Sequence, residues 1–392
     1  MYVARRLSEY IETPDALSVP PDGPNSGFLV IQDEDSETYS CFGSCKNHRL
    51  KDLPFPQNKK LTFNVKQGKN DSPLDIFFIP VLNLPLSCNR YYAIQPHGKH
   101  KGEAFTSSRE EDMATFCFCR RVKEIKPKPL DPRNVYQQFE ICVCENSCAT
   151  RGLFYAKSVA PDGCPPYFMR SKGWSGWTKT PKNYQLDEAP GLDASLRARQ
   201  PDFNFAPTYK TSEAVVVGEW YSPFMFVKEG AMKLKDQLKR SPFYQVTLEQ
   251  QWEQIFSCRN QYCDGKSVTV DVNLDGETVY VAGNRAEWVE SNVVDGVIWF
   301  RSRGNAAGKE TKVGLTVELV QRVKWEQERG RWKAGKERQL KVERTEQYQG
   351  NGGWKEFGCY VLVESFVIRR MDGPVVMNWD FRHIQHIKSI WQ

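Results

Sequence analysis

No run of about 20 apolar residues, the length a helix needs to cross a bilayer, occurs in the 392-residue chain. The most apolar stretches, 215–217 and 359–368, are interrupted or ended by Gly218, Glu219 and Glu364 and read as buried or half-buried strands. The opening Met1-Tyr-Val-Ala-Arg-Arg-Leu7 has no apolar segment followed by a small-residue cleavage site, so it does not read as a secretory signal. Histidine is scarce, with five in all. Gly-x-Ser-x-Gly, His-Glu-x-x-His, a dinucleotide fingerprint after a strand and the kinase motif set are missing. Charge of one sign is not concentrated either. The net charge of +6 is spread along the chain, which argues against the basic face of a nucleic-acid binder.

What the chain does hold is core-forming material. Apolar residues make up 40% and include 11 tryptophans, enough to exclude global disorder. The length exceeds what one core usually organises, and two domains are expected, 1–206 and 207–392, meeting near 206–213. Twelve cysteines behind no secretory signal read as reduced thiols of the cytoplasm or nucleus. The sequon Asn70-Asp-Ser72 is followed by Pro73 and reads as an unmodified loop.

Residues 1–17 read as a short helix or extended arm, stopped by the turn formers of 18–24. Short apolar runs at 28–31, 74–82, 90–94, 116–118, 139–143 and 153–157 read as strands. Residues 181–205 hold one short helix at most, and 231–239 a short amphipathic one. In the second half, 267–274 and 277–282 flank Asp275-Gly276 and predict a hairpin. Residues 357–370 and 375–380 predict another, around Met371-Asp-Gly373. Val215-Val-Val-Gly-Glu-Trp-Tyr221 echoes Val293-Val-Asp-Gly-Val-Ile-Trp-Phe300, each followed by Trp-Glu-Gln (252–254 and 325–327), which suggests a duplicated β-unit. The expected fold class is α+β, predominantly antiparallel sheet with few short helices, in two β-rich domains.

Five cysteines form the sharpest local cluster: Cys117-Phe-Cys119, Cys142-Val-Cys144 and Cys148. Thiolates on adjoining strands can hold a structural zinc. However, C-x-C lacks the usual knuckle spacing, and on a strand it packs two thiols as small hydrophobes on one face. The packed reading is preferred, and no cofactor is predicted. Cys41, Cys45 and His48 offer three ligands where a closed site needs four. His383 and His386 would share a helix face with Asp380 within reach. Ile384, Ile387 and Ile390 fit that face equally well, and a structural C-terminal helix is expected. A cysteine–histidine site assembled from Cys88 or Cys359 with His97 or His386 stays open. The leading ligand candidate is the glycine-bracketed basic loop His97-Gly-Lys99-His100-Lys101-Gly102. Its cations and backbone N–H groups suit an anion, though it lacks the P-loop order.

The opening Met-Tyr-Val-x-Arg, Pro20-Pro-Asp-Gly-Pro-Asn-Ser-Gly27, Leu53-Pro-Phe-Pro-Gln-Asn58, Asn89-Arg-Tyr-Tyr92 and Gly98-Lys-His-Lys-Gly102 resemble an uncharacterised land-plant family, domain of unknown function 1262. Val159-Ala-Pro-Asp-Gly163, Gly191-Leu-Asp-Ala-Ser-Leu-Arg-Ala-Arg199, Pro223-Phe-Met-Phe-Val-Lys-Glu-Gly230 and Gly353-Trp-Lys-x-Phe-Gly-Cys-Tyr-Val361 extend the resemblance to the end of the chain. It implies a plant protein associated with stress or defence and assigns no catalytic residue. The expected function is therefore a soluble, non-enzymatic binding or interaction protein with a protein or small-molecule partner and no transmembrane segment. One alternative is an enzyme of unrecognised type with a pocket near 97–102. Another is a membrane-active, pore-forming protein using amphipathic strands at 246–256 and 315–325.

Overall fold

The structure, a computed structural model, describes residues 1–40, 45–67, 70–116, 119–144, 152–230, 232–260, 265–303, 310–332 and 339–392. The fold is β-rich α+β, with mostly antiparallel strands and short helices. It divides into two compact units, one of Met1–Pro190 with Tyr221–Tyr244, the other of Gly191–Trp220 with Gln245–Gln392. Residues 206–213, the expected boundary, lie inside the second unit.

The first unit is built on a closed barrel. Its strands run in the order Gln138–Val143, Leu153–Ser158, Trp174–Lys179, Lys60–Gln67, Asn70–Pro80 and Arg90–Ile94, which pairs back to the first. Alternation decides which side chains go inside. Trp174, Gly176 and Thr178 are buried while Ser175 and Trp177 are half-buried. Phe63, Phe78, Tyr91, Phe139 and Phe154 join Trp174 inside. A Cβ on Gly176 would lie 2.4 Å from the Phe63 ring, so only glycine leaves that ring its place. The barrel is plugged by Phe55, fully buried on the turn-rich 53–58 segment, with its ring 5.1–6.5 Å from those of Phe63, Phe78, Tyr91, Phe154 and Trp174. Gln57 ties this segment down: its Oε1 accepts from Val30 N at 2.8 Å and its Nε2 donates to Phe55 O at 2.7 Å. At the N-terminus the expected arm is a strand, Tyr2–Arg6, parallel to Gly27–Ile31, followed by the helix Leu7–Glu12.

The second unit carries a long antiparallel sheet. Its order is Glu310–Thr316, Val297–Arg303, Asn284–Glu287, Glu277–Val281, Val375–Trp391, Glu356–Arg370, Phe243–Arg259 and Val215–Pro223. The helix Val317–Arg329 lies against Val297–Arg303 and Glu310–Thr316. The hairpin expected around Met371-Asp-Gly373 is present, with Arg369 opposite Val375.

Five expectations fail here. The sequon at 70–72, read as a loop, opens the strand Asn70–Pro80. Asp275-Gly276 does not close a hairpin: Ser267–Asp275 pairs over nine residues with Gln339–Gln347, while Glu277–Val281 pairs with Asn284–Glu287 and Val375–Trp391. The apolar faces of 267–275 and 339–347, with Val268, Val270 and Val342, pack on Trp354, Phe357 and Cys359, so burial sends the two runs to different partners. The C-terminal segment is strand, not helix. Residues 315–325 are not a strand, since a helix begins at Val317. The duplicated unit fails for the same reason: Trp252-Glu-Gln254 lies in a strand and Trp325-Glu-Gln327 in that helix.

Candidate functional site

The basic loop is shaped by two glycines with positive φ, Gly98 at +81° and Gly102 at +89°, a conformation other residues adopt at a cost. Gln95 and Glu103 close it through Gln95 N to Glu103 O at 2.9 Å and Gly102 N to Gln95 O at 2.7 Å. A Cβ on Gly102 would meet Leu234 Cγ at 3.0 Å. Glycine thus lets the loop settle on the helix Leu234–Arg240.

Between them is a cavity of about 310 Å³, with Leu61, Ile76, Phe77, Tyr184, Leu238 and Pro242 as its apolar wall. Lys60, Lys101, Lys182 and Lys239 also line it. Asn183 Nδ2 donates to Lys239 O at 3.1 Å and Tyr184 Oη to Gln57 O at 3.2 Å, which fixes the 182–184 edge. Burial holds the Lys101 ammonium below its ordinary value, helped by the like charges of Lys239, Lys60 and Lys235 and opposed by Asp236. The lining carboxylate, Asp75, is already engaged: it accepts from Thr62 Oγ1 at 2.6 Å and pairs with His97 Nε2 at 2.8 Å. Among the described residues no acid lies within ion-pair distance of the four lysines.

Of the loop candidates, the structure brings His97 and Lys101 to the cavity. Lys99 is exposed and does not line it, and His100 turns to Glu103 Oε2 at 2.7 Å. Lys60, Lys182 and Lys239 were not singled out in the sequence, because they come from three separate segments with no shared motif. Cys117 and Cys148 lie outside the described residues, as do Cys41 and the side chain of Cys119. Cys142 and Cys144 are half-buried at the end of a barrel strand. Burial pushes the Cys142 thiol up. Among the described residues no three of His, Cys, Asp and Glu are grouped to hold a metal. Cys359 is fully buried, and burial raises its thiol too, which suits packing rather than nucleophilic attack.

The second unit has a cavity of its own, of about 360 Å³. Its floor is a buried charge network. Glu364 receives Arg197 Nε at 2.8 Å, Arg197 Nη2 at 2.5 Å, Gln250 Nε2 at 2.8 Å and Gln327 Nε2 at 2.9 Å. Burial alone would raise the Glu364 carboxyl. Hydrogen bonds from His383 and Arg197, with the Arg197 charge, overcome this and hold it far below the usual carboxylate range. His383 Nε2 is 3.1 Å from Gln327 Oε1. Two histidines three apart on a regular strand face opposite ways, yet His383 and His386 both line this cavity. The reason is a bulge: Val361 pairs with Ile387 and Leu362 with His383, so Ile384, Gln385 and His386 have no residue opposite. The two rings are 6.4 Å apart. Asp380, the third ligand considered with them, accepts instead from Ser365 Oγ at 2.7 Å.

No helix among the described residues is long and apolar enough to cross a membrane. Residues 22–118 match the family described as "Protein of unknown function (DUF1262)". That match takes in the 53–58 plug, three barrel strands and the basic loop, and it stops short of the motifs from Val159 onward. No curated protein matches the chain. Among solved structures, the crystal structure of Cry35Ab1 is similar at a TM-score of 0.46 and 10% identity, over 86% of this chain and 90% of that one. At that score nothing is carried from it to this protein.

Proposed function

We propose that the protein is a non-enzymatic binding protein whose first unit takes a small amphipathic anion. The lysines hold the anionic group, and Leu61, Ile76, Phe77 and Leu238 cover an apolar body. The observation that carries this reading is a set of four lysines around an apolar cavity whose one lining carboxylate is engaged by Thr62 and His97. Lysines gathered with no acid in ion-pair contact repel one another, and a bound anion relieves the repulsion.

Calorimetry with octanoate and with octanol tests the charge requirement, because the two share an apolar chain. Octanoate should bind and octanol should not. Lys101→Gln/Lys239→Gln should weaken octanoate by about 10- to 100-fold, the worth of one or two charged hydrogen bonds. Lys99→Gln should leave it unchanged. Affinity should fall with added salt. It should also fall as pH rises, since Lys101 gives up its proton before an ordinary lysine does. Equal binding of octanoate and octanol, or an undiminished double variant, overturns the assignment. So does failure of octanoate, benzoate and naphthalenesulfonate alike to bind.

A further inference from the structure

The mouth of the second unit's cavity carries groups that the buried network below it does not use. Gln200 Nε2 donates to His386 Nδ1 at 3.0 Å, which leaves the ring proton on Nε2. Gln200 and Arg331, both lining the cavity, have φ of +61° and +65°. Non-glycine residues are held there at a cost in strain and gather at ligand-binding places. Beside them the three-residue bulge carries His386 to the side of His383. The backbone thus departs from regular geometry on three segments at one cavity.

The charges decide what that cavity suits. Glu364, on the floor, has its acceptors filled by Arg197, Gln250 and Gln327, so it has none to offer a cation. Arg197 is neutralised by the same pairing. What acts on His386 is then mainly positive. Burial lowers it first, then His383, with Arg331 and Lys388 adding to the effect and Glu364 opposing it. The Lys388 ammonium lies 4.6 Å from the Trp252 ring centroid.

We propose that this cavity binds a small oxyanion, a carboxylate or phosphate group, held by the Nε2–H of His386 and the charge of Arg331. Binding is coupled to proton uptake. The neutral imidazole donates one hydrogen bond to the anion. The anion in turn favours the imidazolium, whose new Nδ1–H is accepted once the Gln200 amide turns its oxygen toward the ring. Affinity therefore rises as pH falls through the histidine range. The site is independent of the lysine-lined cavity, being built from residues of the second unit alone.

With five histidines in the chain, proton NMR of the ring C–H signals reads the site directly, and His386→Asn assigns its resonance. The titrations are run with inorganic phosphate, with acetate, and with sodium chloride alone at equal ionic strength. Phosphate or acetate should raise the His386 midpoint by about one pH unit, as an opposite charge within about 4–6 Å does. The signal of His100, which lines neither cavity, should hold its place. Arg331→Gln should abolish the rise, and Lys101→Gln/Lys239→Gln should preserve it. A response to phosphate alone narrows the ligand to a phosphate group, and a response to both admits a carboxylate. An unmoved His386 midpoint with either anion overturns the proposal, as does a rise that survives Arg331→Gln.

Discussion

Arg197→Met destabilises the protein by about 3–5 kcal/mol, the cost of leaving a buried charge without its partner. Glu364 is 2% exposed, and Arg197 gives it two hydrogen bonds. Removing both charges is gentler than removing one. Arg197→Met/Glu364→Leu should recover part of the loss, with a coupling of about 2–3 kcal/mol in a double-mutant cycle. Recovery stays incomplete because Gln327 Nε2 loses its acceptor and Gln250 Nε2 keeps only the carbonyl of residue 197. Gly330→Ala should act in the same direction from across the site, since a Cβ there would lie 2.1 Å from Arg197 Nη2, and Gly330 needs no unusual φ. The dependence on pH follows from the sign of the shift. The Glu364 carboxyl is held low when folded, so its contribution is full above the unfolded value of about 4.3 and is lost as pH falls toward the folded one. In Arg197→Met, burial is no longer opposed by the guanidinium and the carboxyl rises. The gap between wild type and variant therefore narrows on acidification. Urea unfolding at pH 7 and at mildly acid pH measures both effects. A loss under about 1 kcal/mol at pH 7, or a gap that widens in acid, refutes the account.

Phe55→Ala costs about 3–5 kcal/mol, the range for emptying a large aromatic site. Five rings surround this one and the plug is pinned through Gln57, so the barrel has little freedom to collapse into the void. Phe55→Leu refills most of the volume and should cost clearly less. Urea unfolding followed by circular dichroism measures the change. Equal stability of the alanine variant and wild type would mean that the plug is dispensable to the barrel.

Much of the strand pattern was legible because burial alternates locally. The runs near 28–31, 90–94, 139–143 and 153–157 are strands close to the expected limits. The hairpin at Met371-Asp-Gly373 joins strands that are neighbours in sequence. What stayed hidden depends on distant partners. Asp275-Gly276 has the chemistry of a hairpin turn, but the partner of Ser267–Asp275 begins at Gln339, and no local pattern reports so remote a pairing. The C-terminal segment misled for a different reason. Isoleucines at 384, 387 and 390 imitate a helical face, whereas three unpaired residues at 384–386 shift the alternation of a strand. Half of the candidate loop reached a cavity, through His97 and Lys101. The lysines that complete the site are scattered over residues 60, 182 and 239, which only the folded chain brings together.

The first unit is discontinuous in sequence, with Tyr221–Tyr244 joining it after an excursion through Gly191–Trp220. During translation the N-terminal 190 residues therefore emerge with their lysine cavity still lacking Leu238, Lys239 and Pro242. Domains fold as units as they leave the ribosome, so this one waits for residue 244 before its wall is complete. A nascent chain stalled or cut at residue 206 holds the barrel strands, the basic loop and the 182–184 edge, but a site left open where Leu238, Lys239 and Pro242 would close it.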